Sequence, residues 1–279
     1  GLTLRKVAID DLSGRPLLRA DRLSGGIDLG ALLLGQVRFT SARLIGFDIQ
    51  LRKADPDSPL NAQFIFDALA SKDTTSTGGI DLAIRGIRLS RGRMSYDVGR
   101  GQPLAGRFDV THLRADDIDA KATLHELHGD RLRVEVHRLR FRERSGLEIR
   151  HLSGDLRKLG KQLELRHLLL HLPRTYLHIA VATTRLPLDS DDTPIRLNLQ
   201  PSEVCLADLG ALVPALSDLP ETLRVAATVS GTLNNPVLDK LSVSQGEALS
   251  LTARAALRDV RHAQRLYMDG RVSRLQVTT

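Results

Sequence analysis

Aliphatic and polar residues alternate along most of this chain, and this period of two constrains the fold more than any other feature. From Leu132 to Val136, for example, the aliphatic residues are separated by Arg133 and Glu135. Such a period puts successive side chains on opposite faces of a β-strand, one apolar and one polar. The pattern recurs in roughly fifteen segments separated by turn residues, which predicts a mostly β protein.

Segment 43–70 combines one such strand with the clearest helical pattern in the chain. Alternation is strict from Ile45 to Leu51, and two prolines then end the strand because proline has no N–H group to donate. Asn61 is a suitable N-cap for a short helix over 61–70. The apolar side of this helix is predicted to cap one end of the sheet surface and consists of Phe64, Ile65 and Leu69.

A second helical pattern covers residues 203–216 and is interrupted near Pro214. The Ser, Thr and Gly residues of 71–79 predict a linker. This linker separates an N-terminal part, 1–79, from a longer part, 80–279. We expect both parts to belong to one continuous β structure rather than to independent domains.

Residues 80–98 contain a shift in the alternation. Ile84 and Ile87 are three residues apart, which predicts a bulge at Gly86. Alternation resumes after Gly92, and we interpret the two halves as the strands of a hairpin.

Two short helices cannot cover the apolar side of so many strands, and two architectures solve this problem. A sandwich or a closed barrel buries the apolar faces against each other. A long curved sheet instead leaves an apolar trough that is open to an aliphatic ligand.

If the sheet is open, its groove is lined by the aliphatic and aromatic residues that alternate along the strands. These candidate lipid-groove residues are Ile45, Phe47, Ile49, Leu51, Leu82, Ile84, Leu132, Val134, Val136, Leu177, Ile179, Val181, Leu223, Val225, Leu249 and Leu251.

The charge of the chain favours anionic partners in general and argues against nucleic acid in particular. Forty Lys and Arg residues against 33 Asp and Glu give a net charge of +7. The basic residues are spread along the strands, as a solvated sheet face requires, instead of being clustered on one helix or loop. Aromatic residues make up 3% of the chain, too few for a base-stacking platform.

The sequence contains no pattern that indicates catalysis. We find no phosphate-binding glycine loop, no activated nucleophile and no zinc-site spacing, so we expect no enzymatic activity, no cofactor and no metal. His125 and His128 point to opposite faces if they lie on a strand. His167 and His171 lie about 13 Å apart on a strand, too far to share one ion.

Two segments carry a resemblance to a known family. They are RLIGFDIQLRKADPDSPLNAQFIFDALASKD, residues 43–73, and IDLAIRGIRLSRGRMSYDV, residues 80–98. These segments contain five elements in a fixed order. A strand with a basic end is followed by an Asn-containing turn and a short Phe-containing helix. A polar linker and a Gly-Arg strand ending in Tyr-Asp come after the helix. This order resembles the AsmA-like superfamily, and within it the TamB-like translocation and assembly module proteins of the Bacteroidetes type. Two later segments, HLLLHLPRTYLHIAV and LRVAATVSGTLNNPVLDKLSV, extend the resemblance over most of the chain.

The resemblance implies an elongated, strongly curved antiparallel sheet with an open, taco-like groove that conducts phospholipid acyl chains through the periplasm. It implies anchoring in the inner membrane and a role in outer-membrane homeostasis. The alternative that it implies is a chaperone-like module that assists assembly of outer-membrane proteins with a barrel partner. The chain contains no run of about 18 apolar residues that could serve as this anchor. The resemblance therefore implies that the chain is an N-terminal periplasmic piece of a longer protein whose anchor lies elsewhere.

Overall fold

The computed structural model describes residues 1–27, 37–70, 80–99, 101–103, 106, 108–128, 130–186, 188, 190–261 and 263–278. These residues form two compact units, Gly1–Arg150 and His151–Thr279, and each unit is described by itself. The predicted division at residue 79 and the predicted continuity of the groove stay predictions.

Among the described residues, the first unit contains six strands and one α-helix. They are β1 (Leu2–Asp10), β2 (Pro16–Ile27), β3 (Val37–Lys53), α1 (Gln63–Ala70), β4 (Ile80–Val98), β5 (His112–His128) and β6 (Arg131–Glu143).

The second unit is built from the remaining eight strands, of which the first begins just before the boundary. They are β7 (Glu148–Leu159), β8 (Gln162–His171), β9 (Tyr176–Arg185), β10 (Ile195–Cys205), β11 (Thr222–Gly231), β12 (Pro236–Gln245), β13 (Leu249–Arg258) and β14 (Tyr267–Val277). Short 3₁₀ turns lie at Leu206–Leu209, Pro214–Leu216 and Ala263–Arg265.

The strands follow one another in a single sheet in sequence order, from β1 to β14. No pairing joins β1 to β14 in the described part of the chain, so the sheet is not closed. The predicted mostly β fold with an open sheet and few helices is therefore confirmed for the described residues.

One pair of strands departs from the predicted antiparallel arrangement. β3 and β4 run parallel, with Leu44 opposite Leu89 and Ile49 opposite Met94. Parallel neighbours require a crossover connection, which usually contains a helix. Helix α1 lies in the connection between these two strands.

Two predictions about local structure are wrong. Residues 80–98 form one continuous strand instead of a hairpin, although a register shift lies between Leu82 and Gly86, next to the predicted bulge. The helix predicted for 203–216 is replaced by the end of β10 and two short 3₁₀ turns. The backbone N–H of Cys205 donates a 3.0 Å hydrogen bond to Oγ1 of Thr175, which keeps this residue in the strand.

The alternation of apolar and polar residues shifts by one position at a row of residues in the first unit whose backbone has a left-handed conformation. Lys6 (φ 53°), Gly46 (φ 60°), Arg91 (φ 53°) and Asp117 (φ 55°) lie at corresponding levels of β1, β3, β4 and β5. At each of them the apolar positions step by three residues instead of two. The side chains that come before and after the step therefore stay on the same face of the sheet.

The core of the first unit lies on this face. Its buried members are Ala20, Leu44, Phe47, Ala115 and Ile118, which come from β2, β3 and β5. Partly buried aliphatic and aromatic residues from β1, β4 and β6 also pack against this cluster. The Phe47 side chain is 3% exposed, so burial at this position stabilises the unit by about 2 kcal/mol.

The ring of Phe47 lies over Gly92 of the neighbouring strand, which leads to a test of this packing. A Cβ atom on Gly92 would lie 1.9 Å from Cζ of Phe47, so Gly92→Ala forces the ring out of its position. We expect the free energy of unfolding to fall by about 1–3 kcal/mol, measured by urea denaturation. Gly86→Ala is the control in the same strand because its Cβ would meet only Ser41 Cβ at 3.7 Å. An equal loss in both variants would contradict the packing.

Hydrogen bonds of the Asp11 side chain connect the turn between β1 and β2 to the turn after β3. Its carboxylate accepts hydrogen bonds from the Ser13 hydroxyl, the Arg15 N–H and Asn61 Nδ2, and its side chain is 2% exposed. These bonds, led by that of Ser13, hold the pKa of Asp11 well below its usual range. Asn61, predicted as a helix cap, instead bonds the backbone of β3 at Gln50 and Arg52.

The lowered pKa of Asp11 predicts a pH-dependent contribution to stability. The pKa of an aspartate in the unfolded chain is about 3.9, so the contribution is complete above that pH and is lost as the pH falls towards the folded pKa. We expect Asp11→Asn to lower the melting temperature at pH 7 and to differ less from the wild type at pH 3. The exposed turn residue Asp57 provides the control variant, Asp57→Asn. A difference that is independent of pH would contradict this role.

Candidate functional site

Apolar residues of the first unit line up in hydrogen-bonded register across its strands. Three such rows, two of them across six strands and one across five, lie on one side of the sheet, which we call the first apolar face. The rows are Leu4, Leu23, Leu44, Leu89, Ala120, Leu139; Leu2, Gly25, Ala42, Ile87, Ala122, Val136; and Ile9, Leu18, Ile49, Met94, Ala115.

The second unit has longer aliphatic rows on one side of its strands, which we call the second apolar face. One row crosses eight strands and another crosses seven. The rows are Leu156, Leu165, Ala182, Leu197, Val229, Leu238, Ala255, Gly270; and Leu168, Ile179, Leu199, Ala227, Leu241, Ala253, Val272.

The two apolar faces differ in how deeply their side chains are buried. The first carries the packed cluster around Phe47, whereas every member of the two rows in the second is half-buried or exposed. The buried aliphatic residues described in the second unit, Leu172 and Val204, lie outside these rows. The second apolar face therefore presents a broad aliphatic surface to solvent.

Twelve of the predicted groove residues lie on the apolar faces. In the first unit the register places Phe47, Ile49, Leu51, Leu132, Val134 and Val136 there. In the second unit it places Leu177, Ile179, Leu223, Val225, Leu249 and Leu251 there.

Two predicted groove residues lie on the opposite side of their strands. Ile45 is paired with Arg22 and Ser90, which belong to the polar face, because Gly46 resets the alternation between Ile45 and Phe47. Val181 is paired with Arg166 and Asn198 and shares their polar face. Its neighbour Ile179 lies on the apolar face, and the apolar position after it is Ala182.

The remaining candidates are only partly described. Leu82 and Ile84 lie within β4, but their side chains fall outside the described residues, as does that of Leu69 in α1. Phe64 and Ile65 are half-buried, and α1 contacts β5. The linker predicted for 71–79 also lies outside the described residues.

Sequence reasoning missed the apolar residues that complete the rows, such as Leu44, Leu89 and Leu238. The signal that identifies them is a pair of apolar residues three apart within a strand. Leu165 and Leu168 form such a pair around His167, which has a φ of 50°.

The histidines that invited a metal hypothesis have separate partners. His167 Nδ1 lies 3.5 Å from Oδ2 of Asp155, and the ring of His171 packs between His151 and Tyr176 at centroid distances of 5.4 and 4.7 Å. His125 Nε2 lies 3.1 Å from a carboxylate oxygen of Glu135. Within the described residues, no group of three or more potential ligands surrounds a common point.

Comparisons of the chain with protein-family models, with curated proteins and with solved structures found no match. The resemblance to the AsmA-like superfamily thus stays a prediction from the sequence motifs. The described residues include no helix of the length and apolar character needed to cross a membrane.

Proposed function

We propose that this chain binds phospholipid acyl chains along its apolar sheet faces and serves inter-membrane lipid transport in the periplasm, in support of outer-membrane homeostasis. The observation that carries the proposal is the second apolar face. Its rows of half-exposed aliphatic residues cross up to eight strands without a polar interruption.

An acyl chain is the ligand whose chemistry fits this surface. It has no hydrogen-bonding groups, and the rows of Leu, Val, Ile and Ala offer none from their side chains. Contact with them contributes roughly 25 cal/mol for each Å² of apolar surface removed from water. Because neighbouring rows offer nearly equal contacts, a bound chain can move from one row to the next without crossing a deep energy well.

The remaining parts of the proposal rest on the family resemblance. The chain acts together with an inner-membrane anchor and carries lipid towards the outer membrane. A barrel protein of the outer membrane is the proposed partner at the far end.

Two β-branched residues of β9 that are two positions apart give the sharpest test of which face binds lipid. Ile179 lies on the second apolar face, and Val181 lies on the polar face beside Arg166. We expect Ile179→Glu to reduce binding of a fluorescent phosphatidylethanolamine at least tenfold because a carboxylate is costly to place against acyl chains. Val181→Glu should bind as the wild type does.

The same pair is checked by extraction of lipid from protein purified from cells, followed by mass spectrometry. The wild type and Val181→Glu should carry phospholipid, and Ile179→Glu should not. Ile179→Thr, which keeps the β-branched shape, controls for loss of folding, and circular dichroism confirms that the variants fold. Equal lipid content in the wild type and Ile179→Glu, with both folded, would contradict the proposal.

A further inference from the structure

One exposed basic residue from each strand of the first unit lies on the polar side of the sheet. These residues, which we call the basic row, are Arg5, Arg22, Arg43, Arg88, Lys121 and Arg138. Arg5 is directly opposite Arg22. Arg43, Arg88, Lys121 and Arg138 are directly opposite one another on four successive strands.

The basic row is unfavourable for the folded protein by itself. Like charges that face each other on neighbouring strands destabilise a sheet. Within the described residues, none of the six side chains forms an ion pair with a carboxylate. A row of this kind is consistent with a function that requires the cations to be available.

Other basic residues of the same strands are paired, which makes the row distinctive. Arg142 Nη2 lies 2.8 Å from Oδ2 of Asp117, and Arg131 Nε lies 2.7 Å from Oε1 of Glu126. Arg140 forms a charge-assisted hydrogen bond with Asp119. The acidic residues of β5 therefore neutralise the neighbours of the basic row and leave the row itself uncompensated.

The surface around the row offers room for phosphate groups. A shallow cavity of about 180 Å³ at its β1–β2 end is lined by Arg5, Arg22, Arg91, Ile45 and Asp21. Arg91 Nη2 lies 4.0 Å from Oδ2 of Asp21, so this carboxylate offsets part of the positive charge there. Three guanidinium groups still line a cavity large enough for one phosphate headgroup.

The geometry favours a broad lipid surface over a nucleic acid. Six neighbouring strands at about 4.8 Å spacing spread the cations over roughly 24 Å of one sheet face. No helix enters a groove from this face in the described residues, and aromatic residues for base stacking are scarce. Clusters of four to eight basic residues are typical of sites that bind anionic membranes.

We infer that the basic row docks the first unit on a bilayer surface that contains anionic phospholipid headgroups. Each basic residue near such a surface strengthens attachment about fivefold, so six together are sufficient for reversible attachment. The polar side of the first unit then contacts the headgroups, and attachment does not depend on acyl chains bound to the apolar faces.

The test is cosedimentation of the purified chain with vesicles. The wild type should bind vesicles of phosphatidylglycerol mixed with phosphatidylcholine, and it should not bind vesicles of phosphatidylcholine alone. Binding should weaken as salt is raised because salt screens exposed charges. The double variant Arg88→Gln/Lys121→Gln should bind the anionic vesicles about 25-fold more weakly.

The matched control is Arg196→Gln/Lys240→Gln, which removes one Arg and one Lys from exposed positions in the second unit. It changes the net charge equally and should bind within about twofold of the wild type. Removal of opposed like charges should leave the melting temperature of Arg88→Gln/Lys121→Gln at or above that of the wild type. Arg43→Gln/Arg138→Gln should repeat the loss of binding.

Three results would overturn the inference. One is an equal loss of binding in both double variants, which indicates a general charge effect. Another is equal binding to the anionic and neutral vesicles, or no binding to either. The third is tighter binding to a single-stranded DNA oligonucleotide than to the anionic vesicles, which identifies a nucleic-acid surface. None of these outcomes affects the lipid-extraction test, because that test measures phospholipid bound to the apolar faces.

Discussion

A regular strand returns a side chain to the same face at every second residue, so aliphatic residues three apart can share a face only where the strand is irregular. Left-handed residues supply this irregularity at Lys6, Gly46, Arg91 and Asp117. Each non-glycine residue in this conformation costs roughly 1–2 kcal/mol. The irregularity keeps the apolar residues before and after the step on the same face of the sheet. There they are buried around Phe47, and this burial offsets the cost.

The resulting separation of faces underlies both proposed activities. Because the steps keep aliphatic residues together, the opposite side of the sheet receives the charged residues, including Arg43 and Arg88. The first unit uses its apolar face mainly for a packed cluster, and this cluster provides its stability. The second unit has no comparable cluster among its described residues, so its aliphatic rows remain accessible to a ligand.

Much of the fold could be predicted because alternation is a local property that strands express directly. The mostly β class and the position of twelve candidate residues on the apolar faces follow from this pattern. The helix after Asn61 follows from its own helical spacing. The parallel pairing of β3 with β4 could not be predicted, because it depends on how the connection through α1 crosses the sheet. The helix predicted at 203–216 failed because the bond from Cys205 to Thr175 and the sheet pairing at Val204 outweigh a local helical period.

The misplaced site residues have one physical cause. Ile45 and Val181 were assigned by strict alternation, and each lies next to a place where the apolar positions step by three. A pair such as Leu44 and Phe47 shows the step in the sequence. Without the register of the neighbouring strands, however, the same sequence also fits a regular strand with Ile45 on the first apolar face.

The most direct test of the central claim measures which side of β10 contacts acyl chains. The chain contains no tryptophan, so single tryptophans introduced by Leu199→Trp and Asn198→Trp report separately from the apolar and the polar side of the strand. With phospholipid that carries bromine on its acyl chains, the account predicts strong fluorescence quenching at 199 and little quenching at 198. Equal quenching at both positions, or none at 199, would contradict it.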